Sequence, residues 1–341
     1  MIAVPESASE LLTELFRYRR LDPSVPPCTD PARSCCVRVQ LPKLAPQVKE
    51  RRPIHLILPA FPAKSPSPRK VLGTLPDLAE QQALCYLQRM CEDLSASYRG
   101  EVRLIICSDG LVFNDVVGVG EAEVMAYGYE LRRMIRRNDL NHLSVFNLAE
   151  ALGGTSYQAM RQRLCDEYGD PLQIVRKRVL SDPAMTRMYN GIHRFLVEDL
   201  AGVRPEWSRS RLRSVCRDRA YELILRSNAW GRLIAEWFPG ALRLSIHPQH
   251  PHDDKIGIRL ADEVSDAWIT PWHGVALVDA ADSDHQRLVP RHEAERLGGR
   301  LVYRDGRPSH FVLDQAPVTT GSPMTNESLQ RDLCDSSTVR S

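Results

Sequence analysis

Short apolar runs alternate, along the first half of the chain, with longer segments in which apolar residues recur every three or four positions. The runs at 53–61, 102–107 and 142–148 are short and apolar enough to form strands that are buried on both faces. The segments between them, at 76–98 and 120–137, have the periodicity of helices that bury one side. Strands that alternate with helices in this way predict an α/β fold built on a Rossmann-like parallel sheet.

The second half of the chain has a different pattern. Residues 149–238 are largely helical in their periodicity and rich in arginine. Strand patterns then return at 241–248, 255–260 and 272–278. The order of these elements predicts one α/β domain with a helical insertion.

The two ends of the chain are set apart from this domain, which we place at residues 50–314. Residues 1–49 form an N-terminal segment, with a short amphipathic helix at 8–20 and a loop rich in proline and cysteine at 21–36. Residues 315–341 are polar and are expected to be disordered. The central domain is therefore expected to contain the chemistry.

Composition and charge exclude several classes of protein. The 45 basic and 43 acidic side chains nearly balance, whereas proteins that bind nucleic acid usually have a clear basic excess. No apolar run approaches the roughly 20 residues that cross a bilayer, and the N-terminus has no secretory signal pattern. The nine cysteines form no C-x-x-C pair, which is typical of free thiols in a reducing compartment. We therefore expect a cytoplasmic protein with neither a nucleic-acid nor a membrane partner.

The loop after the first predicted strand contains three cations, Lys64, Arg69 and Lys70, within seven residues. Prolines border them and reduce the freedom of the loop, so the cations can be held in place for an anion. In open α/β sheets, ligands bind outside the carboxyl ends of the strands, which is where this loop begins. The alternative is an ordinary solvated loop, since most lysines and arginines lie at protein surfaces.

Polar residues also follow the second predicted strand, where the segment SDGLVFND is predicted to be a loop. Its Ser108, Asp109 and Asp115 are candidate ligand contacts. Asp and Asn also favour turns for purely local reasons, so this pattern alone does not separate ligand binding from turn formation.

A third polar cluster lies in the segment RLSIHP and at the start of the next predicted strand. Arg243, Ser245 and His247 alternate along a predicted strand and therefore share one face, and Lys255 follows after a short connection. A strand face with these residues does not bury an apolar core, and together with the lysine it can bind a phosphate or a carboxylate. The pattern leaves a solvent-facing edge strand open as the alternative.

Known metal and nucleotide motifs are scarce. His252-x-Asp254 matches the first two ligands of a facial-triad iron site, but the match is short and lies in a hydrophilic loop. No glycine-rich dinucleotide loop, phosphate loop or zinc-protease motif occurs in the sequence. The arginine-rich stretch from Arg209 to Arg219 is predicted to be an exposed helical face. No metal and no cofactor is therefore expected.

The same clusters resemble the motifs of a known family. LPAFPAKSP followed by KVLG, then SDGLVFND, then RLSIHP and WHGVALV are similar, in this order, to the pyoverdine/dityrosine biosynthesis family. Its bacterial members are isonitrile synthases, and its fungal relatives act in the formation of spore-wall dityrosine. The resemblance implies that the chain is a lyase-type isonitrile synthase.

The resemblance also implies the substrates. Bacterial members condense the α-amine of L-tyrosine or L-tryptophan with the C2 ketone of ribulose 5-phosphate. The imine then loses phosphate and the carbon skeleton of the sugar, which leaves C2 as the isonitrile carbon. Tyrosine is the expected amino acid and tryptophan the next, and the scheme needs no metal or organic cofactor. It does need cations for a phosphate and a carboxylate, and acid–base groups for the proton transfers.

We assign roles to the candidate residues on this basis. Lys64, Asp109 and His247 are the expected catalytic residues. The expected substrate-binding residues are Arg69, Lys70, Ser108, Asp115, Arg243, Lys255 and His273. Two other functions stay open: an iron/2-oxoglutarate oxygenase, supported only by His252-x-Asp254, and a binding protein that kept the fold without the chemistry. The sequence also leaves a homodimer open.

Overall fold

The structure, a computed structural model, describes residues 8–22, 34–154, 156–262, 269–280 and 282–314 of the 341-residue chain. The helices, in chain order, are α1 (Ala8–Leu15), α2 (Ser34–Lys49), α3 (Leu78–Ala96), α4 (Gly110–Val117), α5 (Glu121–Arg137), α6 (Leu148–Leu152), α7 (Tyr157–Tyr168), α8 (Leu172–Ser181), α9 (Pro183–Val203), α10 (Arg209–Trp237) and α11 (Arg291–Arg296). The strands are β1 (Ile54–Leu58), β2 (Val102–Ser108), β3 (Leu143–Asn147), β4 (Leu242–Ser245), β5 (Lys255–Gly257), β6 (Val275–Asp279), β7 (Asp282–Val289), β8 (Arg300–Arg304) and β9 (Arg307–Leu313). Single turns of 3-10 helix lie at Phe16–Tyr18 and Pro271–His273.

The predicted parallel sheet is confirmed. Its five strands lie in the order β3-β2-β1-β4-β5, and every neighbouring pair is parallel. The helices α6 to α10 lie between β3 and β4, in the stretch where the sequence predicted a helical insertion. β1 is therefore the central strand, with β2 and β3 on one side of it and β4 and β5 on the other.

The two faces of this sheet differ in polarity. Leu56 and Leu242, on neighbouring strands, are buried in the main apolar core together with side chains of α1, α2 and α3. On the opposite face, Arg243 of β4 is in register with Ile57 of β1 and Lys255 of β5. Burial of one leucine contributes about 1.5–3 kcal/mol, so the apolar positions decide which face of β4 turns inward. The polar positions are thereby left on the other face.

The N-terminal segment contains a second helix that the sequence pattern did not predict. α2 begins at Ser34, inside the stretch predicted as a loop, and contains Pro42 and Pro46. A proline inside a helix costs about 3 kcal/mol, because it lacks the amide donor and clashes with the preceding turn. Val37 and Leu44 of this helix are buried in the main core, so tertiary packing outweighs the local preference.

The segment SDGLVFND is mostly helical, so the prediction of a loop was wrong. α4 buries Leu111, Val112 and Phe113, and it begins directly after Asp109. A helix of this length is too short to show a clear periodicity, and Asp and Gly favour turns as well as helix starts. The consequence is that Asp109 lies at a helix N-terminus.

A second sheet follows the parallel one along the chain, and the sequence pattern did not predict it. Its four strands lie in the order β7-β6-β9-β8, with β6 parallel to β9 and the other pairs antiparallel. The strand predicted at 272–278 is confirmed as β6, but it belongs to this sheet. In the described ranges, no helix has the length and apolar character to cross a membrane. The tail at 315–341, predicted to be disordered, lies outside the described residues.

Candidate active site

The order of the parallel sheet reverses at β1, whose neighbours are β2 on one side and β4 on the other. Chain connections that leave the sheet in opposite directions open a crevice at the carboxyl ends of the strands, and ligands bind there in open α/β sheets. The second polar cluster of the sequence lies at the end of β2 and in the residues after it, and the third lies in β4, in the residues directly after it and at the start of β5. The fold therefore brings them to the same crevice.

Asp109 lies at the start of α4, directly after β2. Its Oδ1 atom is buried and has no hydrogen-bond partner in the described part of the chain. Burial raises the pKa of Asp109 to about 7, although its own backbone amide and the charge of Arg243 act in the opposite direction. A carboxyl with this pKa is partly protonated near neutral pH and can both donate and accept a proton.

Gly110, the first residue of α4, lets this helix start close to the loop after β1. A Cβ atom here would lie 2.0 Å from the Pro62 carbonyl oxygen and 2.7 Å from a methyl group of Val124. We expect Gly110→Ala to lower the free energy of unfolding in urea by about 1–3 kcal/mol, because the backbone must shift.

Gly191→Ala is the matched control, since nothing lies within 4 Å of a Cβ atom at this position inside α9. Alanine in a helix interior should stabilise this variant by about 0.5–1 kcal/mol. Unfolding free energies that change in the same direction in both variants would contradict the close approach at Gly110.

Two cations lie side by side on neighbouring strands in the crevice. Arg243 of β4 is in register with Lys255 of β5, and neither forms an ion pair with any other described residue. The Nη1 atom of Arg243 is buried without a hydrogen-bond partner in the described ranges. Burial lowers the pKa of Arg243 to about 10, and burial together with the charge of Arg243 lowers the pKa of Lys255. The charges of Asp109 and Asp254 act on Arg243, and those of Asp253 and Asp254 on Lys255, but none of these acids forms an ion pair with them. Adjacent cations without such an ion pair favour the binding of an anion.

His247 follows the end of β4. The strand ends at Ser245, so the predicted alternation is confirmed for Arg243 and Ser245, while His247 lies just beyond. Its backbone amide donates to the Ser245 hydroxyl at 3.1 Å. Although the residue is exposed in part, desolvation by the groups around it, and then the charges of Arg20 and Lys255, lower the pKa of the imidazole. A neutral imidazole is therefore favoured, which can accept a proton.

Ser108 and Asp115 both have partners within the protein. The Ser108 hydroxyl donates to the Phe61 carbonyl oxygen at 2.9 Å and so connects the end of β2 to the loop after β1. Arg226 of α10 donates to both carboxylate oxygens of Asp115, at 2.6 and 3.1 Å. Burial raises the pKa of Asp115, but the hydrogen bonds and charge of Arg226, together with the charge of Arg161, lower it by more, to below its usual range. These contacts stabilise the walls of the crevice.

Lys64 is enclosed by the protein. Its ammonium nitrogen lies 2.9 Å from an Asp77 oxygen and 2.7 Å from a Glu80 oxygen, and it donates to the Pro271 carbonyl oxygen at 3.0 Å. An ammonium group has three protons, and three oxygen atoms lie within 3.0 Å of this one. A phosphate would have to displace one of these partners, and the geometry therefore favours a buried ion-pair network over the predicted phosphate contact.

Asp77 and Glu80 are residues that the sequence analysis missed. Asp77 caps the N-terminus of α3, and the Glu80 side chain accepts a hydrogen bond from the Asp77 amide in return. Burial raises the pKa of Glu80 to about 8, with Lys64 lowering it and Asp77 raising it further. The spacing in DLAE is a recognisable signal for such a capping box. The sequence does not show that the two acids also bind a lysine.

Lys70 and His273 meet at Asp199 of α9, another residue that the sequence analysis missed. Lys70 lies 2.7 Å from one oxygen of Asp199, and Nε2 of His273 lies 3.8 Å from the other. The second ring nitrogen of His273 shares a hydrogen bond of 3.0 Å with the Thr270 hydroxyl. Burial lowers the pKa of His273 to about 4, despite the opposing charge of Asp199, so this imidazole is neutral at physiological pH.

The structure thus gathers seven of the ten predicted site residues in two places. We call Asp109, Arg243, His247 and Lys255 the crevice group, and Lys64, Lys70 and His273 the loop group. The buried Tyr127 lies between them: its hydroxyl donates to Glu80 at 3.2 Å, and the charge of Asp109 contributes to raising its pKa, after burial and the charge of Glu80. The two groups are therefore neighbours within one region of the molecule.

A cavity of about 310 Å³ lies beside the loop after β1, lined by residues that include Pro68, Gly118 and Arg291. Arg291 donates to the carbonyl oxygens of Pro68 and Val71 and pairs with Glu295. Lys64 also lines this cavity, and its ammonium group is held by Asp77, Glu80 and the Pro271 carbonyl oxygen. Because both of these cations have partners in the protein, the cavity is less suited to an anion than the crevice group is. We therefore place the candidate active site at the crevice group.

The two candidate iron ligands do not meet a third. Asp254 forms an ion pair with Lys43 of α2, and His252 packs against His250 with 5.2 Å between ring centroids. In the part of the chain that the structure describes, no three His, Cys, Asp or Glu side chains are arranged to hold a metal ion.

Known proteins resemble this chain over most of its length. Residues 44–302 match the family model of the pyoverdine/dityrosine biosynthesis protein. An L-tryptophan isonitrile synthase of Fischerella ambigua is 41% identical over 313 residues, which are 92% of this chain and 94% of that protein. An L-tyrosine isonitrile synthase of Pseudomonas aeruginosa is 39% identical over 323 residues, covering 92% of this chain and 97% of its own.

The fold is similar as well. The crystal structure of the PvcA protein of Pseudomonas aeruginosa has a TM-score of 0.82 and 39% identity, and the match covers 89% of this chain and 99% of that one. The family match includes every residue of the crevice group and the loop group. This chain therefore belongs to the pyoverdine/dityrosine biosynthesis family and, within it, to the isonitrile synthases.

Proposed function

We propose that this enzyme converts the α-amine of an aromatic L-amino acid to an isonitrile, with ribulose 5-phosphate as the carbon donor. Relatives at 41% and 39% identity are synthases of L-tryptophan and L-tyrosine isonitriles, which supports an aromatic substrate. The donor is proposed from the sequence motifs and from the cations of the crevice group. Tyrosine as the first choice stays a prediction, because the two relatives are about equally similar to this chain.

The observation on which the proposal rests is the pair of unpaired cations, Arg243 and Lys255, beside two groups that can exchange protons. Each substrate has an anion, the carboxylate of the amino acid and the phosphate of the sugar. The planar guanidinium of Arg243 matches a carboxylate, which it can bind through two parallel hydrogen bonds. Lys255 is then the point charge for the phosphate.

Condensation of an amine with a ketone needs proton transfers in both directions. The ammonium of the amino acid must lose a proton before it attacks C2, and the C2 oxygen must gain protons to leave as water. His247, held neutral by its surroundings, is proposed to accept the first proton. Asp109, with a pKa of about 7, is proposed to donate to the oxygen. The same pair can serve the enolisation and phosphate loss that follow.

The loop group is proposed to form the wall beside the reacting atoms. Lys64 and Lys70 are held by acids of α3 and α9, which fixes the loop after β1. Arg69 in the same loop is exposed and forms no ion pair with another described residue, so it is the loop cation available to the phosphate. His273 is neutral and one third exposed, and it is proposed as a hydrogen-bonding contact.

The test is incubation of the pure protein with ribulose 5-phosphate labelled with ¹³C at C2, together with L-tyrosine or L-tryptophan. Mass spectrometry should detect an isonitrile that retains the label, formed faster from the preferred amino acid. Binding of the substrates without turnover would favour a non-catalytic protein of the same fold. Product without the label would contradict ribulose 5-phosphate as the donor.

Arg243→Met should lower kcat/KM by about ten- to a hundredfold, mainly through the KM of one substrate. The reason is that a charge-assisted contact to an anion contributes about 1.5–3 kcal/mol. Initial rates at varied concentrations of each substrate measure the effect.

Arg103→Met is the matched control. Arg103 lies near the amino end of β2, away from the crevice, where it pairs with Glu101 at 2.6 Å. Its replacement should leave both KM values unchanged. Wild-type KM values for both substrates in Arg243→Met would remove Arg243 from the site.

A further inference from the structure

A segment from the N-terminus runs beside the loop that contains His247. The Arg20 amide donates to the Gly257 carbonyl oxygen at 2.8 Å, and the Arg20 carbonyl oxygen accepts from the Gln249 amide at 3.4 Å. The Asp22 amide donates to the Gln249 carbonyl oxygen at 3.3 Å. The connection from β4 to β5 is therefore held from outside by residues that are distant from it in the sequence.

The side chain of Arg20 reaches the same loop. Its Nη1 atom donates to the carbonyl oxygen of Ile246, the residue before His247, at 2.7 Å, and Arg20 is only 6% exposed. Gly257 allows this close packing, because a Cβ atom there would lie 2.3 Å from the Arg20 carbonyl oxygen and 2.9 Å from that of His247. A buried guanidinium that donates to a carbonyl oxygen forms a charge-assisted bond, which fixes the backbone at that point.

The imidazole of His247 depends on this backbone for its position. Its ring nitrogens have no hydrogen-bond partner among the residues that the structure describes. The contacts on the neighbouring backbone include the His247 amide donating to the Ser245 hydroxyl, the Gln249 side chain donating to the His247 and Pro248 carbonyl oxygens at 3.2 and 2.7 Å, and Arg20 donating to Ile246. Of these contacts, only the last is made by a charged and buried side chain.

We propose that Arg20 is a positioning residue for His247, which fixes the loop on which the imidazole stands at the edge of the crevice. The inference rests on the proposed function, in which His247 accepts a proton from the substrate. It adds to the site a residue from the N-terminal segment, outside the stretch that matches the family model.

The charge of Arg20 supports the same role. Desolvation lowers the pKa of His247 most, and the charges that lower it further are Arg20 from the N-terminal segment and Lys255 from β5. Without the charge of Arg20, the pKa of His247 should rise towards its usual value. The imidazole would then be protonated at higher pH, so the fall of kcat/KM on the acidic side should also move to higher pH.

The experiment compares Arg20→Gln, Arg20→Lys and Arg19→Gln in the full chain. Arg20→Gln removes the charge and the guanidinium, whereas Arg20→Lys keeps the charge. Arg19→Gln is the matched control, because Arg19 donates to the carbonyl oxygen of Pro251 in the same loop, at 2.9 Å, but is not among the charges that act on His247. The readouts are kcat and KM, the pH profile, and the titration of ¹⁵N-labelled histidines by NMR, with the His247 signal assigned from His247→Asn.

Arg20→Gln should lower kcat about tenfold with little change in KM, the effect of about one hydrogen bond. Its His247 signal should titrate at higher pH than in the wild type. Arg20→Lys should keep the wild-type titration but also lose kcat, and Arg19→Gln should behave as the wild type. If Arg20→Gln does not fold, the test uses Arg20→Lys instead, because a wild-type kcat in that variant overturns the proposal.

Two other results would also overturn the proposal. One is a His247 signal in Arg20→Gln that titrates at the same pH as in the wild type, and the other is a loss of kcat in Arg19→Gln as large as that in Arg20→Gln. Failure of the proposed function has a different signature. If His247→Asn keeps the wild-type kcat, His247 takes no part in the reaction, and the positioning role of Arg20 is then excluded with it.

Discussion

Asp109→Asn should lower kcat by about a hundred- to ten-thousandfold while the fold stays intact, because a positioned acid–base group contributes rate factors of this size. Asparagine keeps the shape of the side chain but has no proton to exchange near neutral pH. Since the pKa of Asp109 is about 7, the wild-type rate should change with pH in that range. This inflection should be absent from the residual rate of the variant. A kcat within a few-fold of the wild type would exclude Asp109 as the acid–base group.

The same substitution should stabilise the protein at alkaline pH. Burial raises the pKa of Asp109 from 3.8 to about 7, so the folded state favours the protonated form and loses stability as the pH rises from 3.8 to about 7. With about 1.4 kcal/mol for each pKa unit, the difference is about 4 kcal/mol at most. Asparagine does not ionise. In urea, the free energy of unfolding of the variant should therefore exceed that of the wild type by more at pH 9 than at pH 5.

Asp115→Asn is the control on the same helix, because the net pKa shift of Asp115 has the opposite direction. Burial raises the pKa of Asp115, but Arg226 and Arg161 together lower it by more. The charged form of Asp115 therefore stabilises the fold above its unfolded pKa, and this stability is lost as the pH falls. Asp115→Asn should accordingly be less stable than the wild type at pH 9. If both variants gained stability at pH 9, the contrast between the two sites would be refuted.

Lys64→Met should lower the free energy of unfolding by about 3–5 kcal/mol, because it leaves buried acids without their cation. The side chains of Lys64 and Glu80 are 0% exposed, and that of Asp77 is 4% exposed. Lys70→Met is the control from the same loop, since Lys70 also pairs with two acids but its side chain is 24% exposed. Because solvent screens the ion pairs of Lys70, Lys70→Met should lower the free energy of unfolding by less, about 1 kcal/mol.

Acid pH should relieve the defect of Lys64→Met. The charge of Lys64 lowers the pKa of Glu80, so without it Glu80 keeps its proton to higher pH, and the stability of the variant should fall as the pH rises. A second substitution, Glu80→Gln, should restore part of the loss. If Lys64→Met were instead as stable as the wild type but inactive, the phosphate contact predicted from the sequence would be supported in place of the buried network.

The parallel sheet could be predicted from the sequence because its strands are buried on both faces. Strands in such a position need nearly continuous apolar runs, and these are visible without any tertiary information. The alternation at Arg243 and Ser245 was predictable for a similar reason, since side chains on a strand alternate between the two faces. The helix α4 and the second sheet were not predictable in this way, because short elements have little periodicity and depend on packing with the rest of the molecule.

The chemistry of the cations is the part that only the tertiary structure decided. In the sequence, Lys64, Lys70, Arg243 and Lys255 are all basic residues near strand ends. The acids that neutralise the first two come from α3 and α9, and for Lys70 they are more than a hundred positions away.

Arg243 and Lys255 lie side by side because β4 and β5 are neighbours, and no acid of the described residues forms an ion pair with them. Burial and pairing depend on which helices pack over each strand end, and local sequence does not encode that arrangement. The sequence by itself therefore determined the sheet, the family and the kinds of groups that the site needs. The tertiary structure decided which of those groups are left unpaired, and it brought Arg20 from the N-terminal segment to the loop of His247.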